Sequence, residues 1–84
     1  MKAFIYVTLK PSVLDPQGKA VRGGLHSLGY TETEDVRVGK YIELKLAGTD
    51  RRRAEARVKE MCDKLLTNPV IEHYRFEIVE EVGS

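Results

Sequence analysis

Residues 61–78, MCDKLLTNPVIEHYRFEI, contain an abrupt change of hydrophobic period. Before Asn68 the apolar residues recur at helical spacing, and after Pro69 they alternate as in a β-strand. Proline pushes the residue before it out of the α region, so the helix has to end before Pro69. A helix that passes directly into a strand, with no linker, predicts that both elements belong to one small domain.

The helix that ends at this turn begins near residue 50, where Thr49 or Asp50 can cap its free amides. Its apolar side chains follow the spacing i, i+4, i+7, i+8, i+11 and predict one buried stripe. The stripe consists of Ala54, Val58, Met61, Cys62 and Leu65. We therefore assign Cys62, the only cysteine, to core packing rather than to reactive chemistry.

The first turn of this helix carries three consecutive arginines at residues 51–53. One interpretation is a solvated turn whose charges pair with Glu55 and Glu60. The other is a site for phosphate or for an acidic surface of a partner, since a helix N-terminus favours anions. The sequence leaves both open.

The chain begins with a predicted strand over residues 2–10, KAFIYVTLK, which has apolar residues on both faces. A helix is predicted to follow, because Asp15 suits the N-cap and Pro16 suits the first helical position. The helix presents an apolar stripe of Val21, Leu25 and Leu28 and ends at Gly29. The pair at residues 23–24, two glycines in mid-helix, indicates a close approach of another backbone.

Residues 35–48, DVRVGKYIELKLAG, contain two alternating apolar runs around Gly39 and Lys40. We expect a β-hairpin that turns at this pair, and one long bent strand is the alternative. The last strand is predicted over residues 70–82. Its apolar face consists of Val70, Tyr74, Phe76 and Ile78.

These elements predict an α+β fold, a single β-α-β-β-α-β domain over residues 1–84 whose antiparallel sheet carries both helices on one face. The other face stays open and includes Phe4 and Tyr6. An open face with aromatic residues indicates a binding platform or burial against another subunit. RNA-recognition domains share this element order, but residues 39–44 lack the aromatic residues of their motif. We therefore expect the chain to oligomerise through the sheet, with Phe4 and Tyr6 in the interface.

Composition narrows the function classes. Of the 84 residues, 42% are hydrophobic and 32% charged, a globular balance, and the net charge of +1 indicates no general attraction to nucleic acid or to anionic membranes. Apolar runs are too short to cross a bilayer, and one cysteine fits a reducing compartment, so we expect a cytoplasmic protein.

Catalytic patterns are missing from the sequence. His26 and His73 lie far apart and show no zinc-ligand spacing with Cys62. No nucleophile elbow and no glycine-rich phosphate loop occurs. We therefore expect no catalytic, cofactor-binding or metal-binding residue in this chain.

Three separate motifs resemble one family. D-P-Q-G at residues 15–18, V-R-x-G-K at 36–40 and L-L-x-N-P-V-I-E at 65–72 are similar to the PurS family, the small subunit of the three-component phosphoribosylformylglycinamidine synthase. The resemblance runs over nearly the whole chain.

The resemblance implies a place in de novo purine biosynthesis. The complex is a carbon–nitrogen ligase that uses ATP, magnesium and glutamine to convert formylglycinamide ribonucleotide to formylglycinamidine ribonucleotide. The implied partners are a second copy of the chain, as a homodimer or tetramer, a glutaminase subunit and a large synthetase subunit. The small subunit bridges the other two and assists ammonia transfer, and it binds no cofactor itself.

The motifs also suggest which polar residues contact partners: Asp15, Gln17, Arg37, Lys40 and Asn68. The alternative is a structural role, with Asp15 capping its helix and Lys40 as solvated charge. Two other function classes share the predicted element order. One is a small-molecule module that senses amino acids, and the other is an acylphosphatase-like hydrolase, which needs an anion-binding loop that no turn here clearly supplies.

Overall fold

The computed structural model describes residues 1–80 and confirms an α+β fold. Its elements are β1 (Lys2–Leu9), α1 (Pro16–Ser27), β2 (Lys40–Lys45), α2 (Arg51–Met61), a π-helical turn (Cys62–Leu66) and β3 (Glu72–Val79). The strands form an antiparallel sheet in the order β2-β1-β3. Since β2 and β3 both run against β1, they are parallel to each other, and α2 connects them as a split βαβ unit.

The core lies between one face of β1 and the apolar stripe of α2. Alternate residues of a strand point to the same face, and Ala3, Ile5 and Val7 on one face of β1 are buried. The buried apolar residues are Ala3, Ile5, Val7, Ala54, Val58, Cys62 and Ile78. Cys62 is fully buried, which confirms the packing role predicted from the helical spacing. No helix within residues 1–80 is long and apolar enough to cross a membrane.

The helix ends follow the sequence signals. Asp15 caps α1 and accepts a hydrogen bond from the Gly18 amide, and Gly29 has a positive φ of 99° just after the helix. Asp50 caps α2 by accepting from the Arg53 amide. These contacts confirm both predicted helix starts and the glycine stop, and they identify Asp50 rather than Thr49 as the second cap.

The predicted four-stranded order and hairpin are wrong. Residues 33–39 form no strand, and β2 begins only at Lys40, so the region holds neither a hairpin nor one long strand. The Val38 amide donates to the Asp15 carboxylate at 2.8 Å rather than to a neighbouring strand. Gly39 lies against the carbonyl oxygen of Val7, where a Cβ atom would collide.

The predicted arrangement placed both helices on one face of the sheet. In the structure, helix α1 does not cover the sheet beside α2. No extended contact joins it to the strands within residues 1–80, and Leu28 on its apolar stripe is 75% exposed. A Cβ atom at Gly23 or Gly24 would meet nothing within 4 Å, so the predicted backbone approach is also wrong for the isolated chain. Residues 10–39, which we call the arm, therefore project from the sheet.

The arm makes the molecule flat and elongated. Its principal extents are 48 × 33 × 14 Å and its radius of gyration is 16.6 Å. A compact domain of this length has a radius of gyration of about 12 Å. An isolated chain of this shape leaves apolar surface that a compact domain would bury.

The end of α2 differs from the predicted stripe. Because the π-helical turn adds a residue per turn, the Thr67 amide bonds to the carbonyl of Cys62, five residues earlier. The side chains rotate accordingly, so Leu66 is half-buried and Leu65 is 82% exposed, contrary to prediction.

The last strand starts later than the sequence pattern predicted. It begins at Glu72, and Val70, which was predicted to lie on its apolar face, is an exposed turn residue. Residues 81–82 of the predicted strand lie outside the described residues.

Candidate functional site

The base of the arm is fixed by Asp15. One carboxylate oxygen accepts from the Gly18 amide at 2.9 Å and the other accepts from the Val38 amide at 2.8 Å. These two bonds lower the pKa of Asp15, because they favour the ionised carboxylate. The residue is only 4% exposed, so its side chain acts within the chain and offers a partner little surface.

Arg37 fixes the same base from the other side. Its Nη2 donates to the carbonyls of Lys10 at 2.8 Å and Val13 at 3.1 Å. The segment that leaves β1 and the segment that returns to β2 are thereby tied together. Asp15 and Arg37, both predicted as partner contacts, hold the arm at a defined angle to the sheet.

Gln17 and Lys40 line one recess next to this base. The recess has a volume of about 340 Å³, with Asp15 in its wall and Glu72 at its edge. Gln17 is exposed, and Lys40 Nζ lies 3.8 Å from a Glu72 carboxylate oxygen. The structure thus brings three of the predicted contact residues into one concave surface.

Asn68 reaches the same surface indirectly. The backbone amide of Asn68 donates to the Glu72 carboxylate at 2.7 Å. The side-chain oxygen of Asn68 accepts from the backbone amide of Val70 at 3.1 Å. These bonds fix the turn between the π-helical turn and β3. Glu72 therefore connects Asn68 with Lys40, and the five predicted residues surround one end of the sheet.

The open face of the sheet carries an aromatic cluster of Phe4, Tyr6 and Tyr41. Phe4 stacks with Tyr41 at 6.1 Å between ring centroids, and Tyr6 lies 5.4 Å from Tyr41. Arg75 places its guanidinium 4.1 Å from the Tyr6 ring centre. The Tyr6 hydroxyl donates to Glu77 at 2.9 Å, and this bond raises the pKa of Tyr6.

Tyr41 was missed by the sequence analysis. It alternates with Ile42 and Leu44, which placed it on the face opposite the apolar residues of β2, and that alternation was the available signal. Its position beside Tyr6 follows from the register in which Tyr6 pairs with Tyr41 across the strands. Tyr41 is 53% exposed, the most accessible member of the cluster.

Only part of the arginine cluster at residues 51–53 is used within the chain. Arg51 donates to the carbonyl of Ile78 at 2.8 Å and lies 3.5 Å from Glu55. Arg52 and Arg53 are exposed and form no ion pair within residues 1–80. The cluster therefore combines one structural arginine with two that face solvent.

The titratable side chains form no reactive arrangement in the described part of the chain. Burial raises the pKa of the Cys62 thiol, which disfavours the nucleophilic thiolate. His26 donates through Nε2 to the carbonyl of Thr33 at 2.6 Å, and His73 is exposed on β3. No group of three potential ligands for a metal ion occurs among residues 1–80.

Comparison with known proteins gives consistent matches. The family model PurS, described as phosphoribosylformylglycinamidine (FGAM) synthase, matches residues 2–80. The chain is 57% identical over 83 residues to phosphoribosylformylglycinamidine synthase subunit PurS of Bacillus subtilis, covering 99% of this chain and 98% of the relative. It is 55% identical over 80 residues to the subunit of the same name from Synechocystis, covering 95% of this chain and 80% of the relative.

Solved structures agree. The structure of Bacillus subtilis PurS in a C2 crystal form has a TM-score of 0.83 at 57% identity and covers 94% of this chain and 98% of its own. A chain in the structure of PurLQS from Thermotoga maritima has a TM-score of 0.82 at 32% identity, covering 90% of this chain and 93% of its own.

Proposed function

Since this chain belongs to the PurS family and is a subunit of phosphoribosylformylglycinamidine synthase in purine biosynthesis, we propose that it bridges the glutaminase and synthetase subunits without performing chemistry itself. The observation that carries the proposal is that three residues of the family motifs have structural roles. Asp15 and Arg37 form hydrogen bonds that fix the arm, and Asn68 forms one that fixes a turn. A chain that fixes its loops and exposes flat surfaces is suited to holding partners.

The proposed reaction of the complex is the conversion of formylglycinamide ribonucleotide to formylglycinamidine ribonucleotide. Glutamine supplies ammonia in the glutaminase subunit, and the synthetase subunit consumes ATP with magnesium. This chain binds none of these molecules in our proposal. Its contribution is to hold the two active sites so that ammonia passes between them without escaping to water.

The recess at the base of the arm is the proposed contact with the enzymatic subunits. Gln17 and Lys40 are exposed there and take part in few contacts of their own, so they are available to a partner. The rigid base keeps them at fixed positions. We place the complex in the cytoplasm, where a lone thiol such as Cys62 stays reduced.

The open sheet face is the proposed site of self-association. Phe4, Tyr6 and Tyr41 form an aromatic cluster with polar groups at its edge, a composition that favours protein–protein contact. A two-fold axis through this face would stack two sheets about 10 Å apart. The chain then forms a dimer by this face alone, or a tetramer if a second self-contact exists.

Assembly of the complex tests the bridge directly. We expect the glutaminase and synthetase subunits to co-sediment only when this chain is present. Gln17→Ala combined with Lys40→Ala should weaken that assembly about tenfold or more, because two exposed polar contacts are lost, while the circular dichroism of the chain stays unchanged. Lys45→Ala, which changes an exposed lysine at the opposite end of β2 from Lys40, is the matched control and should assemble normally. Co-sedimentation of the two enzymatic subunits without this chain would contradict the proposal.

A further inference from the structure

We infer that Glu72 is a positioning residue. It holds the ammonium group of Lys40 in the recess at the base of the arm, where that group binds a carboxylate of an enzymatic subunit. The inference rests on the bridging function proposed above and specifies the chemistry of the contact. Glu72 is the last residue of the motif at 65–72 and was not among the predicted contact residues.

The side chains of Lys40 and Glu72 meet across the central strand of the sheet. Lys40 begins β2 and pairs with Val7 of β1, while Glu72 begins β3 and pairs with Leu9. Neighbouring strands lie about 4.8 Å apart, so roughly 10 Å separates the backbones of β2 and β3 and only long side chains bridge them. The 3.8 Å between Lys40 Nζ and a Glu72 carboxylate oxygen therefore joins the two edge strands beside the recess.

The Glu72 side chain is itself held in place. One carboxylate oxygen accepts from the backbone amide of Asn68 at 2.7 Å, and the backbone amide of Glu72 donates to the Asn68 carbonyl at 2.8 Å. The other carboxylate oxygen is the one nearest to Lys40. An anchored carboxylate of this kind keeps its negative charge at one point of the recess wall.

The ion pair leaves the hydrogen-bond donors of Lys40 available. Its Nζ–O distance of 3.8 Å exceeds the roughly 2.7–3.2 Å of a hydrogen bond, so Glu72 attracts the ammonium group without accepting from it. The other three lysine–carboxylate pairs within residues 1–80 have closer contacts of 2.9–3.3 Å. Lys40 is therefore oriented by its carboxylate and keeps its three donors for another acceptor.

Exposure decides which charge of the pair a partner meets. The Lys40 side chain is 52% exposed and the Glu72 side chain only 16%. An approaching subunit therefore meets the ammonium group, with the carboxylate behind it. Gln17 is exposed on the same recess and adds the N–H donors of its amide. These donors match an oxygen acceptor, and a carboxylate is favoured because charge-assisted hydrogen bonds are the stronger ones.

The acidic residues of the recess do not oppose such a contact directly. Asp15 is only 4% exposed, and its two oxygens accept from the backbone amides of Gly18 and Val38. The charge of Glu72 is directed at Lys40. The groups that the recess offers to a partner are therefore donors, which is why we assign the partner group to an aspartate or glutamate side chain.

The fold depends little on this ion pair, which allows a clean test. Exposed ion pairs contribute little to stability. Glu72→Gln keeps the size of the side chain and an oxygen that accepts from the Asn68 amide, and it removes only the attraction for Lys40. This variant should therefore retain the circular dichroism and the Tm of the wild-type chain.

Assembly with the glutaminase and synthetase subunits, followed by sedimentation at several salt concentrations, tests the positioning role. Lys40→Gln should raise the dissociation constant about tenfold and flatten its salt dependence, because a charge-assisted contact is lost. Glu72→Gln should raise it about threefold, because the ammonium group is present but no longer held. The combined variant should bind no more weakly than Lys40→Gln alone, since Glu72 acts through Lys40.

Two further variants serve as rescue and control. Lys40→Arg keeps a cation beside Glu72 and should assemble nearly as well as the wild type. Lys59→Gln removes an exposed lysine that also pairs with a carboxylate, Asp63 at 2.9 Å, but lies outside the recess. It should leave both the dissociation constant and its salt dependence unchanged.

Three outcomes would overturn parts of this inference. Losses from Lys40→Gln and Glu72→Gln that multiply in the combined variant, or a lowered Tm for Glu72→Gln, would show that Glu72 acts through the fold and not through Lys40. Equal losses for Lys40→Arg and Lys40→Gln would exclude a carboxylate as the partner group. If every recess variant assembles normally while glutamine-dependent amidation still requires the chain, the bridging function stands and the recess contact fails.

Discussion

Two glycine substitutions test the fold in opposite directions. At Gly39 a Cβ atom would collide with the carbonyl oxygen of Val7 and would lie 2.9 Å from the Thr8 methyl group. Because one obstacle is backbone, the start of β2 has to move away from β1. Gly39→Ala should therefore cost about 1–3 kcal/mol, the range for an overpacked contact.

The same substitution at Gly23 should have the opposite sign. Nothing lies within 4 Å of a Cβ atom there, and the residue is in the middle of α1. Gly23→Ala should stabilise the chain by about 0.5–1 kcal/mol, because alanine loses less backbone entropy in a helix. A chain of 84 residues has a total stability of about 4–13 kcal/mol, so both shifts are measurable.

Urea unfolding followed by far-ultraviolet circular dichroism gives the two values at one protein concentration. With a slope near 1 kcal/mol per molar urea, the midpoint should fall by about 1–3 M for Gly39→Ala and rise by about 0.5–1 M for Gly23→Ala. A Gly39→Ala chain as stable as the wild type would refute the close contact between Gly39 and β1. A destabilised Gly23→Ala chain would show that a second backbone approaches α1 after all.

Three further predictions concern the open face, the arm base and the thiol. Phe4→Asp should lower the sedimenting mass, because it places a charge in the proposed sheet interface. Val70→Asp, on an exposed turn, is the control and should leave the mass unchanged. An unchanged mass for Phe4→Asp would show that the sheet face takes no part in self-association. Hydrogen bonds lower the folded pKa of Asp15, so its stabilising effect is complete above the unfolded pKa of about 4 and is lost as the pH falls through the lower folded value. Asp15→Asn should therefore flatten the acid side of the stability profile, and an unchanged slope would show that the carboxylate does not hold the arm. Cys62 should react with a neutral alkylating reagent only in urea, because burial protects it and raises its pKa; rapid reaction of the folded chain would place it at the surface.

Local chemistry explains which parts of the fold were predictable from the sequence. The start of α1 at Pro16 and the glycine stop at Gly29 depend on neighbouring residues, so motif and structure agree. The same holds for the Asp50 cap and for the end of the helical region before Pro69. The burial of Cys62 was predictable because the helical period of the apolar residues is enough to place it on the buried stripe.

Two of the errors involve contacts between distant residues, and one involves a local change of helix type. Val38 alternates with Val36 as a strand residue would, but its amide bonds to Asp15, 23 residues earlier in the chain. Period alone does not reveal the π-helical turn that exposes Leu65 and buries part of Leu66. Alternation could not distinguish a helix that covers its own sheet from an arm that projects from it.

For the candidate surface too, the sequence indicated the residues but not the contacts that they make with distant parts of the chain. The motif residues lie around one end of the sheet, but the motifs did not separate Asp15 and Arg37, which hold the arm, from Gln17 and Lys40, which face outward. That separation depends on which side-chain atoms already have partners. Phe4 and Tyr6 were predicted on the open face, but their neighbour Tyr41 required the strand register.

The central claim is that this chain connects two enzymes and takes no part in their chemistry. The most direct measurement is the rate of amidation by the mixed glutaminase and synthetase subunits, with glutamine or with free ammonia as nitrogen source, in the presence and absence of this chain. We predict that omitting the chain abolishes most of the glutamine-dependent rate and leaves the ammonia-dependent rate close to its original value. Equal losses with both nitrogen sources, or no loss with glutamine, would contradict the account.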